Sequence, residues 1–291
     1  MRIGVLVLAI AAGLAHASLL PPRFGAYVRG ALSPVSIAPA DRNLFAEYGL
    51  LATEHAAYTS AAGKILDAEV FHFRESEGAH AAYLWLRAGG AGSHATIVPW
   101  KNYVFLFRGA APGTPALEQI EAALSDVDAA EPSPDLCDQG CDPLSERVLL
   151  GPASLARFAP DIPPSLAPLR LGGRGQIARF NTPAGPMSLI VFEYPSTEAA
   201  QTASKELSRL PGAYVRSSGR NAGIIFNPPD PRAAATLMQD IGGHDSGATA
   251  TIRWEPAVRR RTSWGGIAIV LAGFAIAVVI AVVLRLRSTR A

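Results

Sequence analysis

From Gly265 to Leu284 the chain carries twenty residues without a single charged or polar side chain. At about 1.5 Å per residue, a helix of that length spans ~30 Å, the thickness of a bilayer's hydrocarbon core. A helix buried in a soluble core would turn a polar face outward within about five turns, and this one has none to turn. Trp264 stands at the interface position, and arginines flank both ends (Arg259, Arg260 and Arg261 before; Arg285, Arg287 and Arg290 after). Residues 264–284 are therefore expected to form one transmembrane helix in contact with lipid.

The other end has a different plan. Met1-Arg2 precedes an apolar run from Ile3 to Ala15, and Ala15-His16-Ala17 places small residues at −3 and −1 before Ser18. That pattern is expected to be a signal peptide, residues 1–17, cleaved after Ala17; its apolar core is too short to act as an anchor. The arginines flanking the membrane segment nearly tie under the positive-inside rule, so the leader decides orientation. Residues 18–256 are expected outside the cytoplasmic (inner) membrane of the cell envelope. A basic juxtamembrane stretch at 257–263 follows them, and only the tail 285–291 lies inside. Between Ser18 and Pro256 there are 19 Lys and Arg against 24 Asp and Glu, a net charge of 19 − 24 = −5. A mildly acidic body without a basic patch argues against nucleic acid as a partner.

The hydrophobic periodicity of that body alternates short strands with short amphipathic helices. A first unit, residues 18–130, reads as strands Leu51–Tyr58 and Ile65–Phe73, a helix ending near Arg87, a hairpin Ala95–Pro99 and Tyr103–Arg108, and a helix Pro115–Val127. A second, residues 171–256, reads as strands Gly175–Thr182 and Met187–Tyr194, a helix Thr197–Leu210, and a hairpin Ala213–Ser217 and Ala222–Phe226. A helix Pro231–Ile241 and a strand Ala248–Trp254 complete it. At an offset of 121, Phe71, Glu77, Ala79, Ala82 and Leu86 fall on Phe192, Glu198, Ala200, Ala203 and Leu207. At an offset of 119, Asn102 and Phe107 fall on Asn221 and Phe226. The expectation is a duplicated β-β-α-β-β-α unit, an α+β fold in which antiparallel sheet is covered by helices. Residues 131–170 form a proline-rich connector carrying both cysteines, with a helical turn expected near Ser154–Phe158.

The Leu44-Phe-Ala-Glu-Tyr-Gly49 start, the strand ending Val70-Phe71-His72-Phe73, the alanine-rich helix and the Lys101-Asn102 hairpin resemble a domain-of-unknown-function family. Its members are exported, membrane-tethered bacterial proteins found especially in Acidobacteria. The chain departs from that pattern at Ala38–Arg42, where the family has a Gly-Ala-rich segment with Tyr. The resemblance implies an envelope protein with no assigned activity, and it carries over no catalytic residue.

Candidate chemistry is sparse. Cys137 and Cys141, in Asp135-Leu-Cys-Asp-Gln-Gly-Cys-Asp142, are expected to form a local disulfide, as paired thiols in an exported chain do. Their C-x-x-x-C spacing is wrong for a thioredoxin-type site. A metal site drawing on Asp135, Asp138 and Asp142 would lack a histidine. His55 and His72 become neighbours only if their strands pair suitably, with Glu69 or Glu54 nearby; Glu54 and His55 point to opposite faces of one strand. Gly172-Gly173-Arg174-Gly175 precedes a strand, the wrong context for a phosphate loop. Tyr83, Trp85, Trp100 and Tyr103 are the remaining feature, either an enlarged core or a candidate interaction surface. The function these readings favour is a tethered binding module whose partner is an envelope protein, glycan or lipid, with no cofactor. The alternative is an envelope hydrolase or metal-dependent enzyme with a dispersed site.

Overall fold

The computed structural model describes residues 18–89, 95–109, 112–124, 127–137, 141–163 and 168–239. The expected signal peptide, the strand Ala248–Trp254 and the transmembrane segment all lie outside these residues. Among the described residues no helix is long and apolar enough to cross a membrane. The fold is α+β, and every strand pairing is antiparallel.

The first sheet contains β1 (Arg23–Phe24), β2 (Tyr27–Ser33), β3 (Leu50–Ser60), β4 (Ile65–Phe73), β5 (Ala95–Trp100) and β6 (Tyr103–Gly109), in the order β1-β2-β3-β4-β6-β5. The central strand β4 is apolar on both faces, and each face builds its own core. Leu66, Ala68 and Val70 pack with Tyr58, Phe105 and Phe107 beneath Leu20, Phe24 and helix α3 (Thr114–Ala123), which contributes Ile120. Phe71 and Phe73 pack with Val104 beneath α1 (Arg42–Glu47) and α2 (Ser76–Ala88). Period-two alternation explains both sets, since successive side chains of a strand leave on opposite sides. It also separates neighbours in sequence. Glu54 accepts from Ser18 Oγ at 2.9 Å and from Leu20 N–H at 3.0 Å on one face, while His55 stands on the other.

The second sheet contains β7 (Arg147–Leu149), β8 (Arg174–Thr182), β9 (Gly185–Glu193), β10 (Ala213–Ser218) and β11 (Asn221–Phe226), in the order β10-β11-β9-β8-β7. Helix α5 (Thr197–Leu207) covers one face through Ala200, Ala203 and Leu207, against Phe192, Ala222 and Ile224. Ser196 caps α5 by accepting from Ala199 N–H, satisfying one of the donors that a helix start leaves free. Helix α6 (Pro231–Leu237), capped by Asp230, lies on the other face with Phe180, Met187 and Ile225.

The strands β3-β4-β6-β5 and β8-β9-β11-β10 have the same order around α2 and α5. Phe71 pairs with Val104 on the face covered by α2, and Phe192 pairs with Ala222 on the face covered by α5. The hairpins differ from the expected offset by one residue. The first turns through Lys101-Asn102 between Trp100 and Tyr103, the second through Gly219-Arg220 between Ser218 and Asn221. Asn102 therefore corresponds to Arg220, and Phe107 to Ile225. A slip of one residue exchanges the faces of a strand. Accordingly Phe107 is buried, whereas Phe226 is only half-buried on the helix side.

Four elements go beyond the sequence reading: β1, β2, α1 and β7. A long-range cap joins two of the helices. The Glu47 carboxylate at the end of α1 accepts from Ala153 N–H at 2.5 Å and Ser154 N–H at 3.0 Å, at the start of α4 (Pro152–Phe158). A Cβ at position 151 would lie 2.5 Å from the Glu47 carboxylate carbon, so a larger residue there displaces the capping carboxylate.

Candidate functional site

Helices α1 and α2 leave part of the first sheet uncovered, and the opening is a cleft of about 480 Å³. Its floor follows from register. His55 on β3 pairs with Glu69 on β4, which pairs with Leu106 on β6, so three side chains form one cross-strand row. Arg108 stands two residues further along β6 on the same face and forms an ion pair with Glu69. His55 Nδ1 lies 3.2 Å from Ser33 Oγ, and its Nε2 lies 3.8 Å from Asp67 Oδ1. The walls are mostly apolar: Trp85 and Leu86 from α2, Phe45 from α1, and Val35 and Ile37 from the segment 34–38 that leads out of β2. That segment is pinned where Val35 N–H donates to Thr53 Oγ1 at 3.0 Å. An apolar enclosure with a few convergent polar groups is the usual constitution of a small-molecule site.

The aromatic residues named from sequence do not form one surface. Tyr103 is wholly buried, stacked on His72 at 4.4 Å between ring centres, and Trp100 packs beside it at 6.1 Å. Tyr83 and Trp85 belong to the opposite face's core. Trp85 meets Phe158 of α4, and the guanidinium of Arg157 lies 4.3 Å from its ring centre. Arg147 of β7 stands 5.7 Å from the same ring, and Arg157 also pairs with Asp41 at 3.0 Å. The aromatic excess of α2 over α5 has a packing cause: α2 must bury a second side against β7 and α4. Of these four residues, Trp85 alone reaches the cleft.

Cys137 and Cys141 are bonded to each other, with Cα atoms 5.6 Å apart. His55 and His72 are not brought together. His72 sits opposite Ala52, buried, with Nε2 3.1 Å from Asn102 Nδ2. No group of three or more His, Cys, Asp and Glu side chains among the described residues is placed to hold a metal ion.

One charged cluster escaped the sequence reading. His80 and Arg87 lie on one side of α2, and the connector brings Asp135 and Glu146 to them. His80 Nε2 lies 3.0 Å from Asp135 Oδ1, and Leu136 N–H donates to Glu146 Oε1 at 2.6 Å. Glu146 is fully buried, and its other carboxylate oxygen has no partner among the described residues. Burial, reinforced by the nearby Asp135 charge, pushes the Glu146 carboxyl up to about 7. The His80 imidazole beside it holds Asp135 below the usual carboxylate range. The two helical positions are seven residues apart, a spacing that puts them on one face, but the sequence held no signal that the connector would cover that face.

No family model and no curated protein matches the chain. Among solved structures, crystal form III of TP0453 matches with 11% identity, covering 71% of this chain and 92% of that one at a TM-score of 0.23, too low to carry an argument about fold or function.

Proposed function

We propose that the chain is a membrane-tethered, extracytoplasmic binding module whose ligand is seated in the cleft over the first sheet. The observation that carries this reading is the cleft's division of labour. Ile37, Phe71, Trp85 and Leu86 offer apolar contact, while His55, Glu69 and Arg108 converge on the floor. A small amphipathic molecule fits that arrangement, its polar group on the floor and its apolar part against α2 and segment 34–38. The signal sequence and membrane span read from the termini support the envelope location, and the family resemblance agrees. The shared strand order of the two sheets supports descent from one duplicated unit. The enzyme reading is less favoured because its carboxylates are already engaged: Glu69 with Arg108, and Glu146 inside the connector seam.

The test is native mass spectrometry of the full chain extracted from its membrane in mild detergent, compared with Ala38→Trp and Arg108→Ala. Ala38 is exposed on the cleft's rim, so a tryptophan there obstructs the opening without entering a core. A small molecule retained by the unaltered chain and lost from both variants is the expected result. Equal retention by all three proteins refutes the cleft as its seat, and a chain that carries or takes up no small molecule refutes the binding reading. For topology, protease added to spheroplasts is expected to remove almost the whole protein, and protection of a large fragment contradicts it.

A further inference from the structure

The second sheet ends on an open edge at β10, and the hydrogen-bonding phase of that strand can be derived. Asn227 N–H donates to Gly212 O at 2.7 Å, which makes those two a hydrogen-bonded pair. Antiparallel pairs alternate, so Tyr214, Arg216 and Ser218 face β11. Ala213, Val215 and Ser217 face outward, and Ala213 N–H agrees by donating to Leu210 O at 3.2 Å. The N–H and C=O groups of Val215 and Ser217 thus point away from the sheet, with no strand among the described residues to receive them.

Beside this edge runs a groove of about 290 Å³ between β10 and α5. Ser204, Lys205 and Ser208 line it from the helix, and Val215, Arg216 and Ser217 from the strand. Lys205 is its cation and it has no carboxylate; Arg216 shares the face of Tyr214, opposite α5, so only its backbone lines the groove. Ser204 Oγ is enclosed there without a hydrogen-bond partner. The other edges are less available: β5 carries Pro99, β1 has two residues, and β7 has three and packs under α2.

We propose that β10 receives an extended, acidic segment of a partner protein as an added strand, laid in the groove against α5. Main-chain bonds to Val215 and Ser217 supply the attachment, and carboxylates on the α5 side of the segment meet Lys205. A lipid or glycan offers no alternating N–H and C=O row, so the edge selects a polypeptide. This surface lies on a different sheet from the cleft, and its success or failure leaves the cleft reading standing.

The experiment uses the full chain in detergent and a fluorescein-labelled, end-blocked hexapeptide of alternating valine and glutamate. A lysine-for-glutamate version serves as the control. Ser217→Pro removes an outward N–H while sparing the bonds to β11; Ser217→Ala controls for the side chain; Lys205→Glu reverses a charge on the exposed side of α5. Saturable binding of the acidic peptide is expected, weakened at least tenfold by Ser217→Pro and by Lys205→Glu and unchanged by Ser217→Ala. Hydrogen exchange at Val215 and Ser217 should slow when the acidic peptide is added. Absence of saturable binding overturns the proposal, as does equal binding by the Pro and Ala variants, which marks simple charge attraction. Should Ser217→Pro fail to fold, Lys205→Glu and the exchange measurement decide. Val215 and Ser217 amides already protected without peptide also overturn it, because the chain itself then covers the edge.

Discussion

Gly78 is the position where the packing of α2 is most tightly constrained, and Gly78→Ala measures that constraint. An added Cβ would lie 1.9 Å from the carbonyl oxygen of Tyr48 and 3.0 Å from its carbonyl carbon. Opening the first contact to 3.0 Å requires a movement of 3.0 − 1.9 = 1.1 Å between α2 and the end of α1. The Tyr48 carbonyl has little freedom to move. Tyr48 N–H donates to Leu44 O at 3.0 Å, its hydroxyl donates to Val148 O at 3.2 Å, and the next residue is Gly49 at φ +80°. Overpacking of this kind costs about 1–3 kcal/mol, and here the obstruction is backbone, which puts the cost at the upper end. Alanine's helix propensity returns up to about 1 kcal/mol. The net expectation is a loss of about 2 kcal/mol, or roughly 4–8 °C in Tm for a domain of this size. Thermal unfolding of the full chain in detergent, followed by near-UV circular dichroism, reads the effect. Gly113→Ala is the control, since its Cβ would meet nothing nearer than Pro115 Cδ at 3.8 Å. It should cost no more than about 1 kcal/mol at that helix cap. A Gly78→Ala protein as stable as the parent, or more stable, refutes the close approach of α2 to α1.

Two further outcomes follow from the connector. The Glu146 carboxyl is raised in the folded state to about 7, so its contribution to stability is complete below the ordinary carboxylate range and is lost as pH rises toward 7. The slope is about 1.4 kcal/mol per pH unit across that interval. Asp135 and Asp128, both lowered, act in the opposite sense, losing stability as pH falls below the carboxylate range. Denaturation midpoints should therefore peak in mildly acidic buffer. Glu146→Gln, which keeps an acceptor for Leu136 N–H, should flatten the decline toward neutrality, and an unchanged profile refutes the assignment to Glu146. Replacing Cys137 and Cys141 together by Ser should cost about 1–2 kcal/mol and leave the fold intact, because so short a loop closes cheaply in the unfolded chain. Free thiols found by mass spectrometry of the oxidised protein contradict the bridge.

The strands Ile65–Phe73 and Tyr103–Arg108 and the two alanine-rich helices were legible because their periodicities are local. Alternation of apolar residues sets which face of a strand is buried, and helical spacing does the same for Ala200, Ala203 and Leu207. Cys137 and Cys141 were legible for the same reason, lying four residues apart in one loop. The hairpin correspondence was misplaced by one residue because matching Asn102 to Asn221 ignores the turn. Lys101 and Gly219 share the left-handed conformation, at φ +52° and +54°, and they are the corresponding pair. β2 and the three-residue β7 carry little alternating pattern of their own and exist as strands because β3 and β8 offer edges to pair with.

The sequence by itself determined the α+β class, the alternation of elements in both halves, and the apolar faces from which each sheet's core is built. It also carried the strongest expectation about address, in the run from Gly265 to Leu284. Only the tertiary structure decided what the charged and aromatic residues do. Trp85 became a joint with α4 and a wall of the cleft, Glu47 became a cap 106 residues away, and Glu146 was enclosed beside Asp135. Local pattern records whether a side chain is buried, because burial repeats with the period of the element. It does not record which distant segment does the burying. That choice fixes hydrogen-bond partners, carboxyl ionisation and the shape of the cleft.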